Sequence, residues 1–393
     1  MDPRQNPYAP GAGTPPPELA GRDGIMERAA IALDRIRAGK SARSLILYGL
    51  RGVGKTVLLN RIRIDAEARG IVTVHMEAPE GRSLPALLAP ALRAALIRLD
   101  RLQAATAGAS KALRALAGFV SALKIKHGDI EVALDVAPEK GLADSGDLNS
   151  DLSELMLAVG KAAAEKKTAI VLFLDELQYV PEEHLAALIM ALHAANQTQL
   201  PVTMVAAGLP QLLGQTGRAK SYAERMFEFV SIDRLDKEAA TAALCVPAER
   251  ERVKFRPAAI SVILEQTHCY PYFLQEWGKH SWDVAKASPI TAADAEIATK
   301  QALADLDASF FRVRFDRLTP SERRYMRAMA ELGPGPHRSG DVAELLDKKV
   351  THVAPTRNAL ISKGMIYSPS HGDTAFTVPL FDGFIKRIIP TLR

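Results

Sequence analysis

Apolar residues fall in two kinds of pattern along this chain. Short continuous runs, "SLILY" (44–48), "IVTVHMEA" (71–78), "AIVLFL" (169–174) and "LPVTMVAAG" (200–208), have the length and β-branched content of buried strands. Between them lie longer stretches with apolar residues three and four apart. In "TVLLNRIRIDAEARG", for example, Val57, Leu58, Ile62 and Ala66 share one side and Gly70 stops the helix. Strands alternating with helices predict a parallel sheet covered on both faces. "FEFVS", after "SYAERM", predicts its last strand. One segment breaks the rhythm. "SALKIKHGDIEVALDV" (121–136) alternates strictly, which predicts an inserted β-hairpin turning at His127-Gly128, with Lys126 facing Asp129 and Lys124 facing Glu131. Its expected role is decoration or a partner contact. Beyond 236 the pattern is helical as far as "ADLDASFF", and a second pattern then begins. In "LTPSERRYMRAMAEL", Thr319, Pro320 and Glu322 form a capping box with proline at the first helical position. Two more short helices follow, and then "MIYSPSHGDTAFTVP", two strands around a glycine turn. Three helices and a hairpin are the order of a winged helix-turn-helix.

The chemistry concentrates at the ends of two strands. "SLILY" runs into "GLRGVGKT" and then a helix: strand, Gly-x-x-x-x-Gly-Lys-Thr, helix, the Walker A context. Gly49, Gly52 and Gly54 let the backbone of Leu50, Arg51, Val53 and Val57 curl with its N–H groups inward. The helix N-terminus adds partial positive charge. Lys55 is placed to reach the β/γ-phosphates of ATP or ADP, and Thr56 to offer a hydroxyl to Mg²⁺. The second site is Asp175-Glu176, at the carboxyl end of an apolar strand, where open α/β sheets bind ligands. Asp175 suits the Mg²⁺ shell, and Glu176 suits a base for an attacking water. The next strand ends in Ala206-Ala207-Gly208, where many ATPases of the additional-strand class carry a polar sensor.

Composition narrows the picture little. The 393 residues allow two or three domains, and a net charge of +5 over that length permits an anionic partner without requiring one. Cys245 and Cys269 are far apart, so no disulfide framework or zinc site is expected, and a cytoplasmic setting fits. Nine histidines show no ligand spacing, so no metal beyond Mg²⁺ is expected. No apolar run is long enough to cross a bilayer. The first eighteen residues are rich in Pro and Gly and read as a disordered lead-in.

Taken together, these motifs resemble AAA+ ATPases of the origin-initiator type and their STAND relatives. "LAGRDGIMER" is similar to the box that precedes the P-loop and lies beside the adenine, with Gly21, Arg22 and Asp23 matching. "THCYPYFLQEWG" is similar to the lid's Gly-x-Pro motif: Pro271 matches, Cys269 replaces the glycine, and Tyr272 stands where a sensor arginine often follows. "AERMFEFVSIDRL" resembles the segment with an arginine acting in trans, which by position is Arg225. The resemblance implies an α/β P-loop NTPase core over residues 19–235, a helical lid over 236–316 and a winged-helix domain over 317–393. It also implies ATP hydrolysis with Mg²⁺. The missing sensor and lid arginine point to a slow switch rather than a motor, with a homo-oligomer or a protein client as partner. Two alternatives stay open. One is a nucleotide-gated DNA binder using Lys349, Arg357 and Lys363 in "KKVTHVAPTRNALISKG". The other is a scaffold locked on ADP.

Overall fold

The computed structural model describes residues 1–11, 13–101, 107–123, 126–127, 130–131, 136–370 and 372–392. Its first unit opens with α1 (Asp23–Arg37), β1 (Ser44–Tyr48), α2 (Lys55–Ala68), β2 (Val72–Glu77), α3 (Leu84–Arg101) and α4 (Ala107–Ala122). A hairpin follows, β3 (Lys126–His127) and β4 (Ile130–Glu131), and then α5 (Leu148–Glu165), β5 (Ile170–Asp175), α6 (Glu182–Gln197) and β6 (Val202–Gly208). The unit closes with α7 (Leu212–Ala219), α8 (Ala223–Met226) and β7 (Phe227–Ser231). The five long strands pair in parallel in the order β2-β5-β6-β1-β7. β6 therefore stands between the P-loop strand and the acid-tipped strand, the arrangement of an additional-strand P-loop NTPase. β5 and β6 are buried at every position, because helices cover both faces. Leu88, Leu92, Leu155 and Leu188 pack on one face with Ile46 and Leu172; Leu33, Leu58 and Ile62 pack on the other with Leu47 and Phe173.

The hairpin's register differs from the expected one. Lys126 stands opposite Glu131 and His127 opposite Ile130, so His127 is a paired strand residue and Lys126 does not face Asp129. Lys124, Gly128 and Asp129 lie outside the described residues.

Four helices come next, α9 (Lys237–Arg250), α10 (Pro257–Thr267), α11 (Pro271–Val284) and α12 (Ala292–Ala308). α13 (Phe310–Asp316) follows, then α14 (Pro320–Leu332), β8 (His337–Arg338), α15 (Ser339–Leu345), α16 (Val350–Ser362), β9 (Ile366–Tyr367), β10 (Asp373–Phe376) and α17 (Phe381–Ile388). The predicted capping box at Thr319 and Glu322 forms with both of its bonds. β10 pairs antiparallel with both β8 and β9, which makes a three-stranded sheet; the sequence showed only two of these strands, since β8 is two residues long. Phe311 and Phe315 of α13 lie 5.3 and 5.8 Å from Phe384 of α17, ring centre to ring centre.

The N-terminal segment is not the disordered lead-in that its composition suggests. Tyr8 is buried, and its hydroxyl donates to the Leu244 carbonyl of α9. Asn6 donates to the Lys279 carbonyl, and Trp282 Nε1 to the Asp2 carbonyl. One buried ring and a few bonds to α9 and α11 suffice, because a proline-rich chain loses less entropy when it is fixed.

Candidate nucleotide site

β1 delivers the chain into the P-loop. Gly49 passes so close to the chain leaving β7 that a Cβ on it would lie 2.0 Å from the Ile232 carbonyl oxygen. Gly54 caps α2 at φ 91°, a conformation that suits glycine. The loop thereby turns its backbone inward at the start of a fourteen-residue helix. Lys55 is the first residue of that helix. Its ammonium donates to the Leu50 carbonyl at 2.7 Å, and burial brings its pKa down to about 8 against the pull of Glu176 and Asp175.

β5 brings the acids to the same edge of the sheet. Thr56 Oγ1 donates to Asp175 Oδ2 at 2.6 Å. Burial raises the Asp175 carboxyl, and the Thr56 bond opposes that shift. Two hard oxygens fixed at the ends of a helix and a strand fit Mg²⁺, which keeps several waters and takes one or two protein ligands beside phosphate oxygens. Glu176 turns out of the strand at φ 53°, in the left-handed region. One of its oxygens accepts from Gln178 Nε2, and the other lies 3.6 Å from Arg51 Nη1.

Gln178 explains the bare tip of β6. Its Oε1 accepts from the Leu209 N–H at 3.0 Å, and a Cβ on Gly208 would come within 2.4 Å of that oxygen. The strand end is small because a side chain from the β5 edge occupies the space. A glutamine two residues past the acidic pair is the only trace of this in the sequence.

The remaining walls come from other units. Tyr272 N–H donates to the Gly52 carbonyl at 3.2 Å, and Tyr270 Oη to the Arg51 carbonyl at 2.7 Å. Cys269, in place of the lid motif's glycine, sits at φ 59°. From the C-terminal domain, the Thr377 carbonyl accepts the Arg51 N–H at 3.1 Å. Beside these contacts lies a cavity of about 540 Å³, within the size range of small-molecule sites. Arg22, Arg51, Gly52, Val53, Gly54, Lys55, Thr56, Val57, Glu176 and Pro271 all line it. So do Gly11, Gly13 and Thr14 from the N-terminal segment, together with Phe310 and Arg314 of α13.

Some expected residues play other parts. Gly49 and Leu50 shape the loop from behind, and Asp175 reaches the cavity through Thr56. Gly21 packs against Ala239, and Asp23 is an exposed first-turn acid of α1; neither lines the cavity. Arg22 reaches the P-loop, donating to the Val53 and Asp233 carbonyls. Arg225 is exposed on α8, ahead of β7 and so at the sheet edge opposite the P-loop, away from its own chain's cavity. Of the residues read as nucleic-acid contacts, Lys363 pairs with Glu322 at 2.8 Å, and Arg357 donates to Ser368 Oγ and the Asp373 carbonyl. Lys349 is exposed at the N-cap of α16. Arg314, one of several arginines in "FFRVRFDRLTPSERRYMR", faces the cavity. Burial brings its pKa down to about 10, with repulsion from Arg51 next in effect.

Among the described residues, no helix is long and apolar enough to cross a membrane. Residues 18–205 match a family described as an AAA ATPase domain, and residues 308–385 match a domain of unknown function (DUF8462). No curated protein matches the chain. Among solved structures it is similar to the Walker-type ATPase PABY2304 of Pyrococcus abyssi (16% identity, TM-score 0.58), over 95% of this chain and 98% of that one. A looser likeness extends to the Aeropyrum pernix ORC1 protein solved with DNA (14% identity, TM-score 0.46, covering 95% and 94%). The Thermotoga maritima RuvB branch migration motor is similarly distant (14%, TM-score 0.44, covering 91% and 92%). The fold is that of a P-loop NTPase, and its residues 18–205 match an AAA ATPase domain.

Proposed function

We propose that this chain is a slow, ATP-hydrolysing switch in which the state of the nucleotide sets the position of a C-terminal winged-helix domain. Support comes first from Arg51. Its backbone N–H bonds the C-terminal domain at Thr377, its Nη2 donates to Tyr179 Oη at 2.8 Å, and its Nη1 lies near Glu176. One P-loop residue thus touches the acid assigned to hydrolysis and the domain assigned to output.

In this reading the loop amides and Lys55 hold the β/γ-phosphates. Mg²⁺, with Thr56 and Asp175 as its protein ligands, supplies charge neutralisation on the phosphate oxygens. Glu176 takes a proton from the attacking water as its oxygen bonds to the terminal phosphorus and the bond to ADP breaks. The hold of Gln178 and Arg51 on both Glu176 oxygens restrains that base, which favours low turnover. Arg225 is exposed and fits an arginine offered to a neighbouring copy. A scaffold locked on ADP remains the outcome if the protein, emptied of nucleotide and recharged with ATP, releases no phosphate. The decisive experiment follows the distance between spin labels at Ser153, on α5, and Asp341, on α15, with ADP and with a non-hydrolysable ATP analogue. A shift of several ångströms between the two states supports the switch. Identical distances refute it.

DNA binding is the less favoured reading, because Arg357 and Lys363 are engaged within their own domain.

A further inference from the structure

Arg314 lies beyond every motif that marks the nucleotide site, yet it faces that cavity from α13. It is held from behind. Nη1 donates to the Phe310 carbonyl at 2.7 Å, and the guanidinium carbon lies 3.9 Å above the centre of the Phe310 ring. Phe310 in turn stacks on Tyr272, with ring centres 4.7 Å apart. Among the described residues, no carboxylate forms an ion pair with Arg314; its charged neighbours include Arg51, Arg317 and Glu176. Lys55, Arg51 and Arg314 therefore bring three cations to one cavity, a charge pattern complementary to a polyphosphate. Glu176 and Arg51 mark the end of the cavity where, on the nucleotide reading, the terminal phosphate lies.

We propose that Arg314 binds the terminal phosphate of a nucleoside triphosphate and distinguishes it from a diphosphate, taking the place of the lid arginine that Tyr272 replaces. The proposal rests on the nucleotide reading above and adds a residue and a route of coupling. α13 carries Arg314 on one side and Phe311 and Phe315 on the other, packed against Phe384. Engagement of a γ-phosphate thus acts on a helix already joined to the C-terminal domain. A planar, permanently charged fork suits phosphate oxygens better than an ammonium does.

The test is equilibrium binding of ADP and of a non-hydrolysable ATP analogue, both with Mg²⁺, to the full chain and to R314Q and R314K. R314Q removes the charge but keeps a polar side chain, and unchanged ADP affinity shows that the site is intact. Wild type is expected to prefer the analogue. R314Q is expected to weaken analogue binding tenfold or more with ADP affinity held within about twofold, and R314K to recover part of the preference. A wild type that binds both equally, or an R314Q that keeps the wild-type ratio, overturns the assignment. A wild type that binds neither nucleotide removes the nucleotide reading itself.

Discussion

The backbone N–H of Arg51 donates to the carbonyl of Thr377, 3.1 Å away and 326 residues along the chain. An amide of the glycine-rich loop is thus bonded to the C-terminal domain. That domain therefore docks on the loop that lines the candidate site.

Loosening this dock is expected to speed nucleotide exchange. Gly364 stands at φ 64°, and a Cβ there would lie 2.8 Å from Arg51 Nη2 and 3.0 Å from Tyr179 Oη. G364A should raise the nucleotide dissociation rate several-fold in stopped-flow displacement. G372A is the control. It imposes similar backbone strain, about 1 kcal/mol, at φ 84° with open space around it. Equal rates in the two variants would show that the contact is inert.

Hydrolysis should depend on Glu176. E176Q is expected to cut single-turnover phosphate release roughly a hundredfold or more while ATP binding changes little. Unaltered release would assign the base elsewhere.

Lys55 makes opposite demands on pH. Burial brings the Lys55 pKa in the folded chain down to about 8, from an ordinary value of 10.5. Between those values the unfolded state holds more protons, so this residue's contribution to stability rises with pH across the window. Phosphate binding needs the charged ammonium, so ATP affinity should fall above pH 8, by up to about tenfold per unit. Titrations from pH 7 to 9.5 should show the decline, and K55R, which stays charged, should flatten it. A steep decline that survives in K55R would point to another group.

The N-terminal segment should matter to stability. Tyr8 is 4% exposed, and removing its ring in Y8A is expected to cost about 3–5 kcal/mol in denaturant unfolding. A change under about 0.5 kcal/mol would mean that the segment is not docked in solution.

Duplex DNA should bind weakly, with a shallow salt dependence, because Arg357 and Lys363 already have partners. A log–log slope steeper than about −4 between 50 and 200 mM salt would restore the DNA reading.

The sequence by itself determined whatever depends on local order. Strand, glycine loop and helix make the P-loop wherever they occur, and an apolar strand tipped with Asp175-Glu176 can end only at the ligand edge of a covered sheet. The capping box at Thr319 is as local, and it too was legible. Tertiary structure decided the rest, because it depends on which distant groups come to share one space. Gln178 fills the tip of β6 only because β5 and β6 are neighbours. Tyr8 orders a segment of disordered composition because a lid groove receives its ring. Arg314 reads as one more surface arginine until α13 turns it toward Lys55, and no periodicity records which face of a seven-residue helix meets a cavity.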